Sequence, residues 1–421
     1  MPVWKRLTVW ILRLVVGGVF VMSGLVKMID LWGFVFKIEE YLAIWNLSQP
    51  RTIVFIVAMG ISGYEFVLGS LLAMGCYKRV APWGLLLTMA AMLPLTLYVW
   101  LADPVSDCGC FGDFWKISNA ATFFKNVVIT GALLLLLKWN GRLRESLFNP
   151  AIQWMVGAWI SLYIIIIGLY GYNAQPMADF RSFPVGTSLL PSDADGDAGF
   201  AFIYEKDGRK EEFSIDNLPD STWTFVDRVS TGSAAKEDEH AELAVFDGED
   251  DVTADVIEPE GEQLLLVVSE PRRAGVTFTY TINEIYEYAD SIGLPMIALL
   301  GTDSKGVAIW RDMSMAEYPC YTADDTLLKE LARGSISLVM LDNGVITSKT
   351  TLGSISPGEV ESPAGEAEFK AELKGYGARW FTLVNVVFGG ALLALYLFQG
   401  IILAIRIKIK QAYRRKAAKI S

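Results

Sequence analysis

Two cysteines separated by a single glycine form the strongest chemical signal in this chain, in Asp107-Cys108-Gly109-Cys110-Phe111-Gly112-Asp113. A disulfide across so short a loop is strained and easily reduced, and it gains little closure entropy, so the pair suits thiol/disulfide exchange better than stapling. The thiolate is the reactive form, and nearby charge sets how much of it exists. Lys125, further along, is placed to lower a thiol pKa, whereas Asp107 and Asp113 are placed to raise one, and the net sign is open. Gly109 and Gly112 supply the backbone freedom such a loop needs. Two thiols without a neighbouring imidazole make half a metal site, so no metal centre is expected. The single histidine, His240, sits in the polar run Lys236 to Glu242 and is given no role.

A second set of candidates consists of charges inside apolar stretches, where they are costly and mark function by default. Glu65 stands in Gly63-Tyr64-Glu65-Phe66-Val67-Leu68-Gly69. It reads either as a structural hydrogen bond between helices or as a proton carrier or quinone-facing carboxyl, because thiol oxidation must dispose of protons. Arg13 and Lys27 lie in the first apolar stretch, where Lys27 either snorkels to the interface or forms a polar layer with Asp30. Cys320, in Tyr318-Pro319-Cys320-Tyr321, reads as a small buried hydrophobe or as a resolving thiol for the pair.

The elements that must position these residues are membrane spans. Apolar residues make up 52% of the 421, too many for an ordinary soluble chain. Six stretches can cross a hydrocarbon core about 30 Å thick. They run from about Leu7 to Met28, Ile53 to Gly75, Trp83 to Ala102, Ala120 to Leu137, Trp154 to Tyr172 and Trp380 to Ile405. Lys5, Arg6, Lys78, Arg79, Lys138, Arg142 and Arg144, with the tail from Arg406 to Lys419, all fall on one side, which the positive-inside rule makes cytoplasmic. Both termini are then cytoplasmic, residues 173–378 are exported, and Cys108 and Cys110 face the exported side with Cys76 across the membrane. The net charge of −11 divides accordingly. Residues 173–378 hold 39 acidic and 15 basic side chains, and the remainder holds 8 and 21. This balance argues against nucleic acid as a partner.

Within the exported part, Phe200 to Glu205 and Lys210 to Ile215 flank a turn and read as a hairpin. From Gly261 to Ile355 the pattern reads strand (Leu264 to Ser269), helix (Thr281 to Ile292), strand (Pro295 to Leu300), helix (Ala323 to Leu331), then a hairpin of Ser337 to Leu341 and Val345 to Lys349. This order resembles a thioredoxin-like domain. The place of a Cys-x-x-Cys pair reads Ser269-Glu270-Pro271-Arg272-Arg273-Ala274, and that of the cis-proline reads Gly334-Ser335-Ile336-Ser337. Such a domain docks or supports rather than exchanging thiols itself.

The segment Phe20 to Asp30, followed by Gly33-Phe34 and Glu40-Tyr41, with Glu65 and with Asp107 to Asp113, resembles the DoxX/MauE family of redox-associated membrane proteins over residues 1–145. The resemblance implies a four-helix bundle akin to vitamin K epoxide reductase and quinone-linked thiol oxidoreductases, associated with periplasmic disulfide handling; MauE itself is linked to maturation of a disulfide-rich methylamine dehydrogenase subunit. The hairpin, Asp220 to Asp227 and the thioredoxin-like end resemble a long, two-part version of the family from Bacteroidota-type bacteria.

The expected fold is an α-helical membrane bundle, a four-helix DoxX/MauE-like core plus two further spans, with an exported α/β thioredoxin-like domain. Its parts are the core at 1–145, a fifth span at 150–175, an acidic linker with a hairpin at 176–260, the thioredoxin-like domain at 261–355, a linker at 356–378, the sixth span at 379–405 and a basic cytoplasmic tail at 406–421. The expected function is thiol/disulfide exchange at the periplasmic face of a bacterial inner membrane, through Cys108 and Cys110 with Lys125 and Glu65. Asp107, Asp113, Lys27, Asp30 and Cys320 support it. The partners are the lipid bilayer and an exported thiol protein or other envelope protein, and a quinone is the one candidate cofactor. The alternative is a non-catalytic scaffold or maturation factor whose redox-dead thioredoxin-like domain binds an envelope partner.

Overall fold

The computed structural model describes all residues except 1, 48, 106–107, 116, 144, 191–199, 207–208, 215–223, 231–241, 356–364, 375–376 and 418–421. His240 and Asp107 therefore lie outside the described residues, as does the turn of the expected hairpin. The chain divides into two compact units, one of Met1–Arg181, Thr350–Ile355 and Gly375–Ser421, the other of Ser182–Lys349 and Ser356–Lys374.

The first unit is helical: α1 (Val3–Ile29), α2 (Leu31–Ile44), α3 (Arg51–Ala73), α4 (Val80–Ala102), α5 (Asn119–Trp139) and α6 (Gln153–Asn173). All but α2 are long and apolar enough to cross a membrane, as is Trp380–Ile401 within the last helix. The short α2 fell between expected elements, since 14 residues with Lys37, Glu39 and Glu40 cannot read as a span. Asp30 builds its start by accepting a hydrogen bond from the Gly33 amide at 2.9 Å, so Asp30 is an N-cap.

Helix α1 buries Val9, Arg13, Val16, Phe20, Ser23 and Lys27 at alternating steps of four and three, one continuous seam. Trp4, Leu7, Ile11 and Leu14 on its other side are exposed, as lipid-facing residues are. The seam packs on α3, and the two backbones nearly touch. A Cβ on Gly24 would stand 2.5 Å from the Ser62 carbonyl oxygen, and one on Gly69 would stand 2.8 Å from the Cβ of Phe20. Small residues thereby fix the register of α1 on α3. Helix α5 buries Asn119, Thr122, Asn126, Ile129, Leu133 and Leu136 with the same rhythm. Helix α6 joins this core through Val156, Ile160, Tyr163, Ile164 and Ile167, so the fifth span packs on the bundle.

Arg13 is fully buried near one end of the seam. Its Nε donates to Asn140 Oδ1 at 2.6 Å and its Nη1 to the Glu145 carbonyl at 3.1 Å, while Asn140 Nδ2 donates to the Lys78 carbonyl at 2.7 Å. Cys76, also fully buried, lies in the α3–α4 connection at this end.

The second unit is built on β-sheets. A three-stranded antiparallel sheet has the order β2 (Arg209–Ser214), β1 (Phe200–Lys206), β3 (Thr224–Ser230), so the expected hairpin pairs and gains a third strand. The larger sheet contains β4 (Val245–Asp247), β5 (Asp250–Asp251), β6 (Glu262–Val268), β7 (Met296–Leu300), β8 (Cys320–Ala323), β9 (Ser337–Asp342) and β10 (Val345–Thr351). Their order is β10-β9-β6-β7-β8-β4-β5. Strands β6, β7 and β8 run parallel, and β9 is antiparallel to β6. Asn343 and Gly344 both take positive φ in the β9–β10 turn, the geometry that Asn-Gly favours.

Helices α7 (Thr253–Val256), α8 (Thr279–Ser291), α9 (Ser304–Ser314) and α10 (Asp325–Leu331) connect these strands. Thus α9 and β8 correct the expected succession, which ran from β7 directly to a helix at Ala323. The α9 segment buries only Gly306, Val307, Trp310 and Ser314, and four-residue β8 carries no alternation. Helix α11 (Glu366–Lys374) lies in the interval read as a linker. The final helix α12 (Gly377–Ala417) belongs to the first unit, where Asn385 Oδ1 accepts from the Tyr163 hydroxyl at 2.9 Å.

Candidate functional site

The α4–α5 connection carries the thiol pair and is tied at both ends. Asp103 ends α4 in the left-handed region (φ 44°), and Asn119 Nδ2, at the start of α5, donates to Asp103 Oδ1 at 2.8 Å and to the Val105 carbonyl at 3.0 Å. Gly109 (φ +67°) and Gly112 (φ +53°) turn the chain between these points, and the Gly112 amide donates to the Gly109 carbonyl at 3.2 Å. The Cys108 and Cys110 sulfurs lie 2.7 Å apart as free thiols, against about 2.05 Å for a disulfide. The loop already holds the pair within reach of a bond.

The two thiols are inequivalent. The Cys110 thiol donates toward Cys108 and holds the Cys108 thiol down at about 6, against the opposing effect of burial; the Cys110 amide and the Lys125 ammonium add to the lowering. The same hydrogen bond, with burial, pushes Cys110 well above the usual thiol range. Cys108 is thus the thiolate near neutrality, and Cys110 keeps its proton. Both are half-buried.

Beneath the loop lies a polar cluster that spacing alone does not assemble. Lys27 on α1 and Glu65 on α3 form a buried ion pair, Nζ to Oε2 at 2.9 Å, with the two side chains 4% and 5% exposed. Removing either partner would leave an uncompensated buried charge, a cost of about 3–5 kcal/mol. The Ser23 hydroxyl, one turn before Lys27, is 2.8 Å from the same Glu65 oxygen and 2.7 Å from the Cys110 carbonyl oxygen. A continuous polar path therefore runs from Lys27 through Glu65 and Ser23 to the backbone of the thiol loop. Lys125 on α5 places its Nζ 4.5 Å from the centre of the Phe111 ring, and Lys27 places its own 4.9 Å from that of Phe34.

These groups line a partly open cavity of about 20 Å³ whose wall includes Ser23, Lys27, Glu65, Cys110, Lys125 and Asn126. That is room for about one water molecule, with more than the two to four polar partners it requires.

Of the expected site residues, Cys108, Cys110, Lys125, Glu65 and Lys27 come together. Lys27 is deeply buried rather than snorkelling, and its ion-pair partner is Glu65, while Asp30 caps α2. The Asp113 side chain, like Asp107, lies outside the described residues. Cys320 belongs to the other unit, 4% exposed in β8, where its thiol donates to the Tyr318 carbonyl at 3.4 Å and burial raises its pKa. Ser23, Phe111 and Asn126 were not anticipated as site residues. The signal for Ser23 was its place on the α1 seam, three residues after Phe20 and four before Lys27. Among the described residues no group of three or more His, Cys, Asp and Glu could hold a metal ion.

No curated protein and no solved structure matches the chain. Residues 200–231, which hold the three-stranded sheet, match a domain of unknown function (DUF8463). Residues 5–138 match the family model of methylamine utilisation protein MauE, an interval that takes in nearly all of α1, then α2 to α4, the thiol loop and nearly all of α5. The chain is thus a multi-pass membrane protein whose N-terminal helical bundle is similar to MauE.

Proposed function

We propose that the bundle is a thiol/disulfide exchange site and that Cys108 is its attacking sulfur. The observation that carries this reading is the asymmetric pair: two free thiols 2.7 Å apart, one held near 6 and the other well above the usual range. The Cys108 thiolate attacks a disulfide of an exported partner, forming a mixed disulfide and releasing one partner thiolate. The Cys110 thiolate then attacks Cys108, closing the internal disulfide and releasing the second. One dithiol is oxidised and one disulfide reduced, and the reverse reaction oxidises a partner dithiol. A quinone stays the candidate electron acceptor for this site, and the steps above run between the thiols and the partner disulfide alone.

The Lys/Arg bias of the connections supports cytoplasmic termini and a periplasmic thiol loop. The β6-α8-β7 crossover with antiparallel β9 and β10 alongside supports a thioredoxin-like domain in the second unit. That domain would recruit the partner rather than exchange with it, because Ser269 to Ala274 after β6 holds no thiol and Cys320 is buried.

The test is to trap thiols in membranes poised at a series of redox potentials and weigh the peptide carrying residues 108–110. The expected result is a two-hydrogen mass change with one midpoint, absent in Cys108→Ser/Cys110→Ser. A pair that stays in one state throughout, with full function retained in the double variant, would leave the scaffold reading in its place.

A further inference from the structure

The thiol pair accounts for the electrons of exchange but leaves a proton to place, because Cys110 must lose one before it can close the disulfide. We infer that Glu65 takes this proton through a single water in the cavity between them, and that Ser23 couples the transfer to the backbone of the thiol loop. This inference rests on the exchange reading of the pair.

The geometry carries it in two ways. First, Cys110 and Glu65 both line the one-water cavity, together with Ser23 and Lys27 of α1 and Lys125 and Asn126 of α5. Helix α4 contributes Met89 and Met92 to the same wall, and α2 brings Phe34 against Lys27 and Lys37 against Gly109. Glu65 is the one carboxylate in this lining. A general base needs contact with the proton directly or through one water, and the cavity is sized for the second route.

Second, Ser23 has one hydroxyl proton and faces two acceptors, Glu65 Oε2 and the Cys110 carbonyl. While Glu65 is ionised, the Ser23 proton is contested between them. Once Glu65 is protonated, its own O–H donates to Ser23 and Ser23 donates to the Cys110 carbonyl, fastening the loop at the moment the disulfide closes. Lys27 holds the carboxylate ready, because an ion this deep needs a counter-charge.

The balance is as follows. The Cys110 S–H gives its proton to the water, which passes one to the Glu65 carboxylate. The Cys110 thiolate attacks the Cys108 sulfur of the mixed disulfide, the Cys108–partner S–S bond breaks, and the partner leaves as a thiolate. Glu65 returns its proton in the reverse reaction or releases it to solvent.

The experiment follows both steps in full-length protein in lipid nanodiscs, with oxidised glutathione as the disulfide and rapid acid quench, the glutathione adduct on Cys108 being read by mass. In the wild type, closure is expected to vary little between about pH 6 and 8 and the adduct not to accumulate. The variant Lys27→Met/Glu65→Leu removes both charges and leaves neither unpaired. It is expected to form the adduct at the wild-type rate, then close about 100-fold more slowly, with a rate rising about tenfold per pH unit as hydroxide replaces the carboxylate. Lys27→Gln/Glu65→Gln, which keeps shape and hydrogen bonding and strands no charge, gives the same readout if the first pair variant misfolds. Ser23→Ala keeps the base, so closure slows with its pH dependence unchanged. Closure in the Glu65 variants with the wild-type rate and pH profile, or a slowing with no change in pH profile, overturns the inference alone. A wild type that forms neither the adduct nor the Cys108–Cys110 disulfide overturns the exchange reading itself.

Discussion

Two buried cations lie on one seam of α1, and they are handled in opposite ways. Arg13 is held by neutral acceptors, Asn140 Oδ1 and the Glu145 carbonyl, with its guanidinium 4.8 Å from the centre of the Trp10 ring. Lys27 is held by a carboxylate that also reaches Ser23 and shares a cavity with a thiol. The first arrangement ties α1 to the end of α5 and the α3–α4 connection, and has no group beside it that must change protonation for exchange. The second joins a carboxylate, two ammonium groups and a thiol around the space of one water. A charge inside a membrane bundle is therefore not functional by its presence; what separates the two is whether a reactive group shares its surroundings.

The largest effect that sharpens this contrast belongs to Cys110. Cys110→Ala removes the hydrogen bond that holds Cys108 at about 6. The Cys108 midpoint then moves toward the free-thiol value of about 8.5, cutting the thiolate at pH 6 on the order of 100-fold. The check is the rate of alkylation by iodoacetamide against pH. In the wild type the rate falls as the pH drops through about 6, because the thiolate is protonated there; an unmoved midpoint in the variant would show that Cys110 does not set it.

Arg13→Met comes next and acts on stability instead. It strands the Asn140 and Glu145 acceptors in a buried site, at a cost of about 2 kcal/mol. Reversible unfolding in mixed detergent micelles measures this, and the Cys108 alkylation midpoint is expected to stay where it is. A shifted midpoint would mean that the two ends of α1 are linked.

The parts of this contrast differ in how far they can be read from residues alone. The span helices follow from apolar runs of the right length, and Cys108 and Cys110 announce themselves because their relation is local. The Lys27–Glu65 pair depends on the register of α1 against α3, which close contact at Gly24 and Gly69 sets across the helix interface. Residue spacing along α1 suggests Asp30 as a partner for Lys27, and only the crossing brings up Glu65. The same holds in the second unit, where β6 and β7 show as apolar runs but β8 is recognisable only through its pairing with β7 and β4.

Gly109→Ala is a smaller perturbation of the thiol loop. At φ +67° an L side chain costs about 1 kcal/mol, and its Cβ would meet the flexible Lys37 side chain at 2.7 Å. Closure of the Cys108–Cys110 disulfide is expected to slow about fivefold, the factor equivalent to that energy, with the Cys108 midpoint retained. A closure rate equal to the wild type would mean that the loop does not rely on the left-handed turn.

The smallest effect is expected at Cys320, and it tests whether chemistry is confined to the bundle. A resolving thiol must present a thiolate to an incoming sulfur. Cys320 is 4% exposed in β8, its thiol donates to the Tyr318 carbonyl, and burial raises its pKa, so it meets neither condition. Cys320→Ala deletes one small buried sulfur and should cost the second unit about 1 kcal/mol, within the ordinary range for a point change. Formation and closure of the glutathione adduct on Cys108 should be unchanged. A variant that instead accumulates the adduct would make Cys320 a participant, and would require β8 to open far enough to release it.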